Sequence, residues 1–298
     1  MNRTFTRLVP AVFAASCLVG ACSSRAVTPP RIPAGTGSPA APTGGAFNRD
    51  THETLNGYLW VQTSAEFQAL ASSIYRGAQM TLERALGDTS WTALPDQTTG
   101  YQPFPGAVIM DLDEAVFDNS PAQAQFILDG TPYVSATWRA WVDSASAPTL
   151  PGAREFIAFA EARGVKVFYV TNRTAAEQPK TLENLTSVGI AASDDTVLCV
   201  GENGWTSDKT ARRMEIAKSH RVLLLVGDDM NDFVSTVSLT PQQRIALAQK
   251  HADQWGTRWI LLPNPQYGTW ERALYRGITD DRAILQQKHE HVRGFRER

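Results

Sequence analysis

The chain has 298 residues, which suits one large domain, or one domain with a small addition once any processed segment is removed. Its composition is that of an ordinary globular protein: 43% hydrophobic, 19% charged, formal net charge −2. That near-neutral balance argues against a partner such as a nucleic-acid polymer, whose phosphates are gripped through a broad basic surface.

The N-terminus has a texture of its own. Arg3 and Arg7 are followed by a short apolar run over 8–20 that ends in Val19-Gly20-Ala21-Cys22. An ordinary signal peptide accounts for the charge and the apolar run. The small residues directly before Cys22 fit the narrower lipobox of bacterial lipoproteins, in which the Cys22 thiol is acylated and becomes the new N-terminus. Ser23, where Asp would favour inner-membrane retention, points to the outer membrane if the host uses that sorting rule. The expectation is a lipoprotein signal peptide over 1–21 and a cell-envelope location, with membrane attachment through the lipid anchor only. Residues 22–46 are rich in Pro, Gly, Ala, Ser and Thr and read as a flexible tether to a domain over 47–298. Past the N-terminus no stretch reaches the apolar length that crosses a bilayer.

The 53–86 stretch has a helical pattern, with Phe67, Leu70, Ile74, Tyr75 and Ala78 at spacings of three and four. A loop rich in Pro and Gly follows over 95–105. The texture then alternates between strands and helices. Strands are expected over 107–110, 165–170, 197–200, 221–226 and 259–262, with helices over 154–163, 175–188, 209–219 and 241–251. Such alternation predicts an α/β fold, a parallel sheet flanked by helices on both faces, with polar chemistry beyond the carboxyl ends of the strands. Cys199 falls in one of these apolar strands, where its neighbours would raise the thiol pKa and argue against a nucleophilic role.

Four polar groups stand at those strand ends. Asp111 and Asp113 follow the first strand, and a phosphoryl-transfer enzyme of this design needs a carboxylate nucleophile and a second carboxyl for acid–base work. Taken alone, such a pair equally caps a turn. Thr171 and Asn172 end the second strand, where they suit either a phosphoryl oxygen or a helix N-cap. Lys209 opens a helix, a place where lysine is often simply solvated. Gly227-Asp228-Asp229-Met230-Asn231-Asp232-Phe233 offers hard oxygen ligands for Mg²⁺, or a solvated Gly-Asp turn.

In this order the four groups resemble the haloacid dehalogenase (HAD) superfamily of phosphohydrolases over about 107–262. Leu59-Trp60-Val61-Gln62, Trp91-Thr92-Ala93-Leu94 and Asn264-Pro265-Gln266-Tyr267-Gly268-Thr269-Trp270 narrow the likeness to the class C bacterial acid phosphatases, lipoproteins that include 5′-nucleotidases. The resemblance implies a Rossmann-like HAD core over about 104–262 and a small, mainly helical cap from about 53–95 and 119–146. It implies a small-molecule phosphomonoester substrate, with Asp111 as nucleophile and Asp113 as general acid and base. Thr171, Asn172 and Lys209 would bind phosphate. Mg²⁺ would be held by Asp111, the Asp113 backbone carbonyl and Asp228, with Asp232 nearby or bound through water. Tyr267 would stack on the leaving group, with Phe117 a weaker candidate that core packing explains better. Trp138 and Trp141 line the entrance or pack the cap.

Two departures from the family pattern stand out. Ala115 replaces a Thr that would firm the turn around Asp113, and Asp229 replaces an Asn, adding charge beside the metal acids. Phosphotransfer to an alcohol and a non-catalytic ligand-binding lipoprotein are the alternatives, and the assembly state, a homodimer included, stays open.

Overall fold

A computed structural model describes residues 54–131 and 133–293 of the protein. The expected signal peptide, Cys22 and the tether lie outside them. Among the described residues no helix is long and apolar enough to cross a membrane.

The first helical stretch is two helices, α1 (Leu55–Thr63) and α2 (Ala65–Gly87). Ser64 separates them: its backbone is extended (φ −85°, ψ 137°) and its Oγ accepts from Phe67 N at 3.0 Å, so it caps α2. The spacing of apolar residues continues across this cap, which is why the periodicity alone reads as one helix. Along α2, Phe67, Ala71, Tyr75, Ala78, Leu82 and Ala85 are buried at intervals of three and four.

Five strands follow: β1 (Gly106–Met110), β2 (Lys166–Thr174), β3 (Val197–Val200), β4 (Arg221–Gly227) and β5 (Trp259–Leu261). All pair in parallel, in the order β3-β2-β1-β4-β5. The intervening helices are α5 (Ala153–Glu161), α6 (Gln178–Ser187), α7 (Thr210–Ala217) and α8 (Pro241–Lys250). Because successive side chains of a strand point to opposite faces, each strand feeds two cores. Val108 and Met110 join Tyr75, Leu82 and Phe156 on one face; Ala107 and Ile109 join Ile216, Phe233 and Trp259 on the other. Trp91 contributes structurally, its indole N–H donating to Leu223 O at 2.8 Å.

The chain runs outward from β1 through β2 to β3, then returns to β4 on the other side of β1. The loops leaving β1 and β4 therefore part in opposite directions and open a crevice at their carboxyl ends. Two further helices, α3 (Ser120–Leu128) and α4 (Ser135–Ser144), lie between β1 and α5. Two helices lie beyond the last expected strand, α9 (Thr269–Arg272) and α10 (Asp281–His291), tied by a Lys288–Glu271 ion pair at 2.6 Å.

Candidate active site

Asp111 is the first residue past β1, and its N–H donates to Val226 O of β4 at 2.8 Å. The chain then coils tightly, with Val116 N and Phe117 N both donating to Leu112 O at 2.8 Å. Glu114 occupies the left-handed region (φ 60°). The Ala115 carbonyl accepts from the buried Tyr75 hydroxyl at 2.6 Å, an anchor for this turn supplied by α2.

Carboxylate oxygens of Asp111, Asp228 and Asp232 lie within 4.8 Å of one another. Lys209 Nζ enters this group, 2.5 Å from Asp111 Oδ1 and 2.6 Å from Asp232 Oδ1. Far from being a solvated first-turn lysine, Lys209 is 4% exposed. Burial alone would lower its pKa; the Asp111 and Asp232 carboxylates outweigh that and raise it. Asp111 is pushed up to about 7 by burial, partly offset by Lys209 and reinforced by Asp232 and Asp113. Burial, then Asp232 and Asp111, raise Asp228 as well. Three crowded carboxylates with one ammonium are short of positive charge, and all their donors are hard oxygens. That donor set fits a divalent cation of the Mg²⁺ type. Asn264 Nδ2 steadies Asp228 Oδ2 at 2.8 Å, and Arg213 Nη1 braces the backbone carbonyls of Asn231 and Asp232 at 3.0 Å each.

Asp113 contributes no carboxylate to this group. Its Oδ1 accepts from Arg173 Nη2 at 2.8 Å, from Arg173 Nε at 3.0 Å and from Asn119 Nδ2 at 2.9 Å. Thr171 Oγ1 lies 3.5 Å from Asp113 Oδ2. The guanidinium of Arg173 sits 5.0 Å from the Phe117 ring centroid and 5.8 Å from that of Trp138, and Trp141 Nε1 donates to Asn119 Oδ1 at 2.8 Å. Phe117 is fully buried, as core packing requires.

The second strand runs on to Thr174, so Thr171 and Arg173 share one side and are buried, while Asn172 is exposed on the other. The Asn172 side chain accordingly turns away from the acids, and its Oδ1 accepts from Arg212 Nη2 at 2.8 Å. Tyr267 is half-buried and its hydroxyl donates to Glu114 Oε2, joining the β1 turn to the segment after β5. Asp229 leaves little free charge beside the metal acids. Its carboxylate accepts from Asn231 N at 2.9 Å, Thr269 N at 2.6 Å and Thr269 Oγ1, with the Arg244 guanidinium 3.7 Å away.

The family described as "HAD superfamily, subfamily IIIB (Acid phosphatase)" matches residues 45–270. The chain belongs to this family. It is similar to two solved structures of the class C acid phosphatase from Bacillus anthracis, one with tungstate bound. Each is 30% identical, with a TM-score of 0.73, and the match covers 82% of this chain and 98% of that one. The protein is therefore an acid phosphatase, a phosphoric monoester hydrolase, and its five-stranded parallel sheet is the HAD core.

Within this acid phosphatase, the structure brings Asp111, Lys209, Asp228 and Asp232 together, with Asp113 and Thr171 beside them. Cys199 is buried in β3, its thiol pushed up to about 12 mainly by desolvation. Sequence reasoning missed Arg173, Asn119 and Asn264 as partners of the acids, and Glu114 as the acceptor for Asn119 and Tyr267. Arg173 alone carried a usable signal, two residues past Thr171 and hence on the same side of an extended strand.

Proposed function

We propose that this acid phosphatase is exported and lipid-anchored, depends on Mg²⁺, and works through an aspartyl-phosphate on Asp111. Nucleoside 5′-monophosphates are included among its substrates. The observation that carries this reading is the position of Lys209 Nζ between Asp111 and Asp232 at the mouth of the β1/β4 crevice, while Arg173 holds Asp113 apart from them.

An Asp111 oxygen attacks phosphorus as the ester P–O bond breaks, and Asp113 delivers a proton to the departing alcohol oxygen. Asp113, now ionised, takes a proton from water; that water attacks phosphorus, breaks its bond to Asp111 and releases inorganic phosphate. The Lys209 ammonium and Thr171 hydroxyl bind phosphoryl oxygens, so charge is met where it develops. Arg173 and Asn119 orient Asp113 between the two proton transfers. Asp111, the Asp113 carbonyl, Asp228 and Asp232 would hold Mg²⁺, which supplies further positive charge to the phosphoryl oxygens. Tyr267, fixed through its hydroxyl, offers a ring to an aromatic leaving group.

Hydrolysis of p-nitrophenyl phosphate and of a nucleoside 5′-monophosphate, with Mg²⁺, with EDTA and with Asp111→Asn, tests this. Activity lost to both EDTA and the substitution supports it; metal-independent activity, or turnover by Asp111→Asn near the wild-type rate, sinks it. Fatty-acid labelling that disappears in Cys22→Ser tests the anchor, and an unlabelled wild-type chain in a lipoprotein-processing host contradicts it.

A further inference from the structure

The two oxygens of Asp113 are held unequally. Oδ1 accepts from Asn119 Nδ2 at 2.9 Å and from Arg173 Nη2 and Nε at 2.8 and 3.0 Å. Oδ2 has longer contacts, Arg173 Nε at 3.3 Å and the Thr171 hydroxyl at 3.5 Å. Short bonds to Oδ1 leave Oδ2 as the oxygen with capacity to carry a proton. Each of the two residues that grip Oδ1 is held in turn. Arg173 is buried, and its Nη1 donates to Thr181 Oγ1 of α6 at 3.2 Å. Asn119 is fully buried; its N–H donates to Glu114 Oε1 at 3.1 Å, and its Oδ1 accepts from Trp141 Nε1 of α4 at 2.8 Å.

An asparagine amide has a donor at one end and an acceptor at the other, and a half-turn exchanges them. An indole N–H donates only, so it meets Oδ1 and turns Nδ2 toward Asp113 and, at 3.4 Å, toward Glu114 Oε2. Among the described residues this indole is the donor that Asn119 Oδ1 has. The indole is itself fixed. Trp141 is half-buried and packs against the core that contains Tyr75 and Phe156, and α4 lies against α6, which carries Thr181.

We infer that Trp141 is a positioning residue for proton transfer: through Asn119 it holds Asp113 in the orientation that protonates the departing oxygen. The role rests on Asp113 as the general acid. Loss of the indole N–H leaves a buried carbonyl unpaired, so Asn119 shifts and loosens its bond to Oδ1. The loss falls hardest on esters whose leaving oxygen is basic, because these depend most on receiving the proton.

The test compares kcat/KM for p-nitrophenyl phosphate and phenyl phosphate, two aryl esters whose leaving oxygens differ in basicity. Their ratio is taken within each variant, so a lowered folded fraction cancels. Trp141→Phe, which keeps a ring without the N–H, raises the ratio about fivefold in favour of p-nitrophenyl phosphate. In an Asn119→Ala background the same substitution raises it no further. Benzothienylalanine in place of Trp141 keeps the bicyclic outline, lacks the N–H and gives the same rise as Trp141→Phe. A wild-type ratio in either single variant, or an equal further rise in the Asn119→Ala background, overturns the role of Trp141. Asp113→Asn tells the two failures apart. A raised ratio there beside an unchanged one in Trp141→Phe overturns the role of Trp141 alone. A wild-type ratio in Asp113→Asn overturns Asp113 as the acid, and the inference with it.

Discussion

Lys209 Nζ lies 2.5 Å from Asp111 Oδ1, a buried ion pair at the point where the strand order reverses. The same ammonium meets Asp232, so one positive charge reconciles two carboxylates from different loops. Replacing Lys209 with Met leaves those carboxylates buried and uncompensated. We expect kcat to fall by about 10²–10³, the usual loss for one charge-stabilising donor. We also expect a stability loss of about 3–5 kcal/mol without divalent metal, since breaking a buried pair strands its partner. Steady-state kinetics, with thermal melting in EDTA and in Mg²⁺, checks both. A melting temperature that is unchanged in EDTA contradicts the role given to Lys209.

Arg173 holds Asp113 by three contacts from Nε and Nη2. Arg173→Lys keeps the charge but loses the fork, and we expect kcat to drop about tenfold or more with KM little changed. A KM effect without a kcat effect would instead make Arg173 a substrate-binding residue.

Gly227 precedes Asp228, and a Cβ there would come within 2.6 Å of Asp232 Cγ. Gly227→Ala must therefore move Asp232 off Lys209 or bend the β4 terminus. The expected outcome is a folded protein with weakened metal dependence, read as a higher Mg²⁺ concentration for half-maximal activity. Wild-type metal titration in this variant would show that Asp232 is not needed where it stands.

The Cys199 thiol is raised to about 12 by burial and then by Glu202, partly offset by Arg212 and Arg173. Its folded pKa exceeds the ordinary 9.0, so its contribution to stability is fully present below about pH 9. That contribution is lost as pH rises toward 12. At pH 8, peptide mapping after maleimide treatment should find Cys199 unmodified in the native protein and labelled in denaturant. Rapid native labelling would contradict its burial.

Much of the site was legible because its acids follow apolar runs. Asp111 after Val108-Ile109-Met110 and Asp228 after the 221–226 run had to emerge at strand ends, and a parallel sheet brings those ends together. What remained hidden depends on contacts between distant segments. Nothing near Ala115 in the chain reveals that Tyr75 holds its carbonyl, and nothing near Asp229 reveals Thr269 and Arg244. Asn172 was misdirected by ending the strand too early: continued to Thr174, its alternation turns Asn172 outward and Arg173 inward.

The central claim is a covalent phosphoryl group on Asp111, and the most direct measurement traps it. Enzyme turning over p-nitrophenyl phosphate with Mg²⁺ is quenched in acid, reduced with borohydride and mapped by mass spectrometry. An acyl phosphate at position 111 is then recovered as homoserine, and the account predicts that product in the wild-type enzyme and its absence without substrate. Unmodified Asp111 in enzyme caught during rapid turnover, alongside a reduced residue elsewhere, would contradict it.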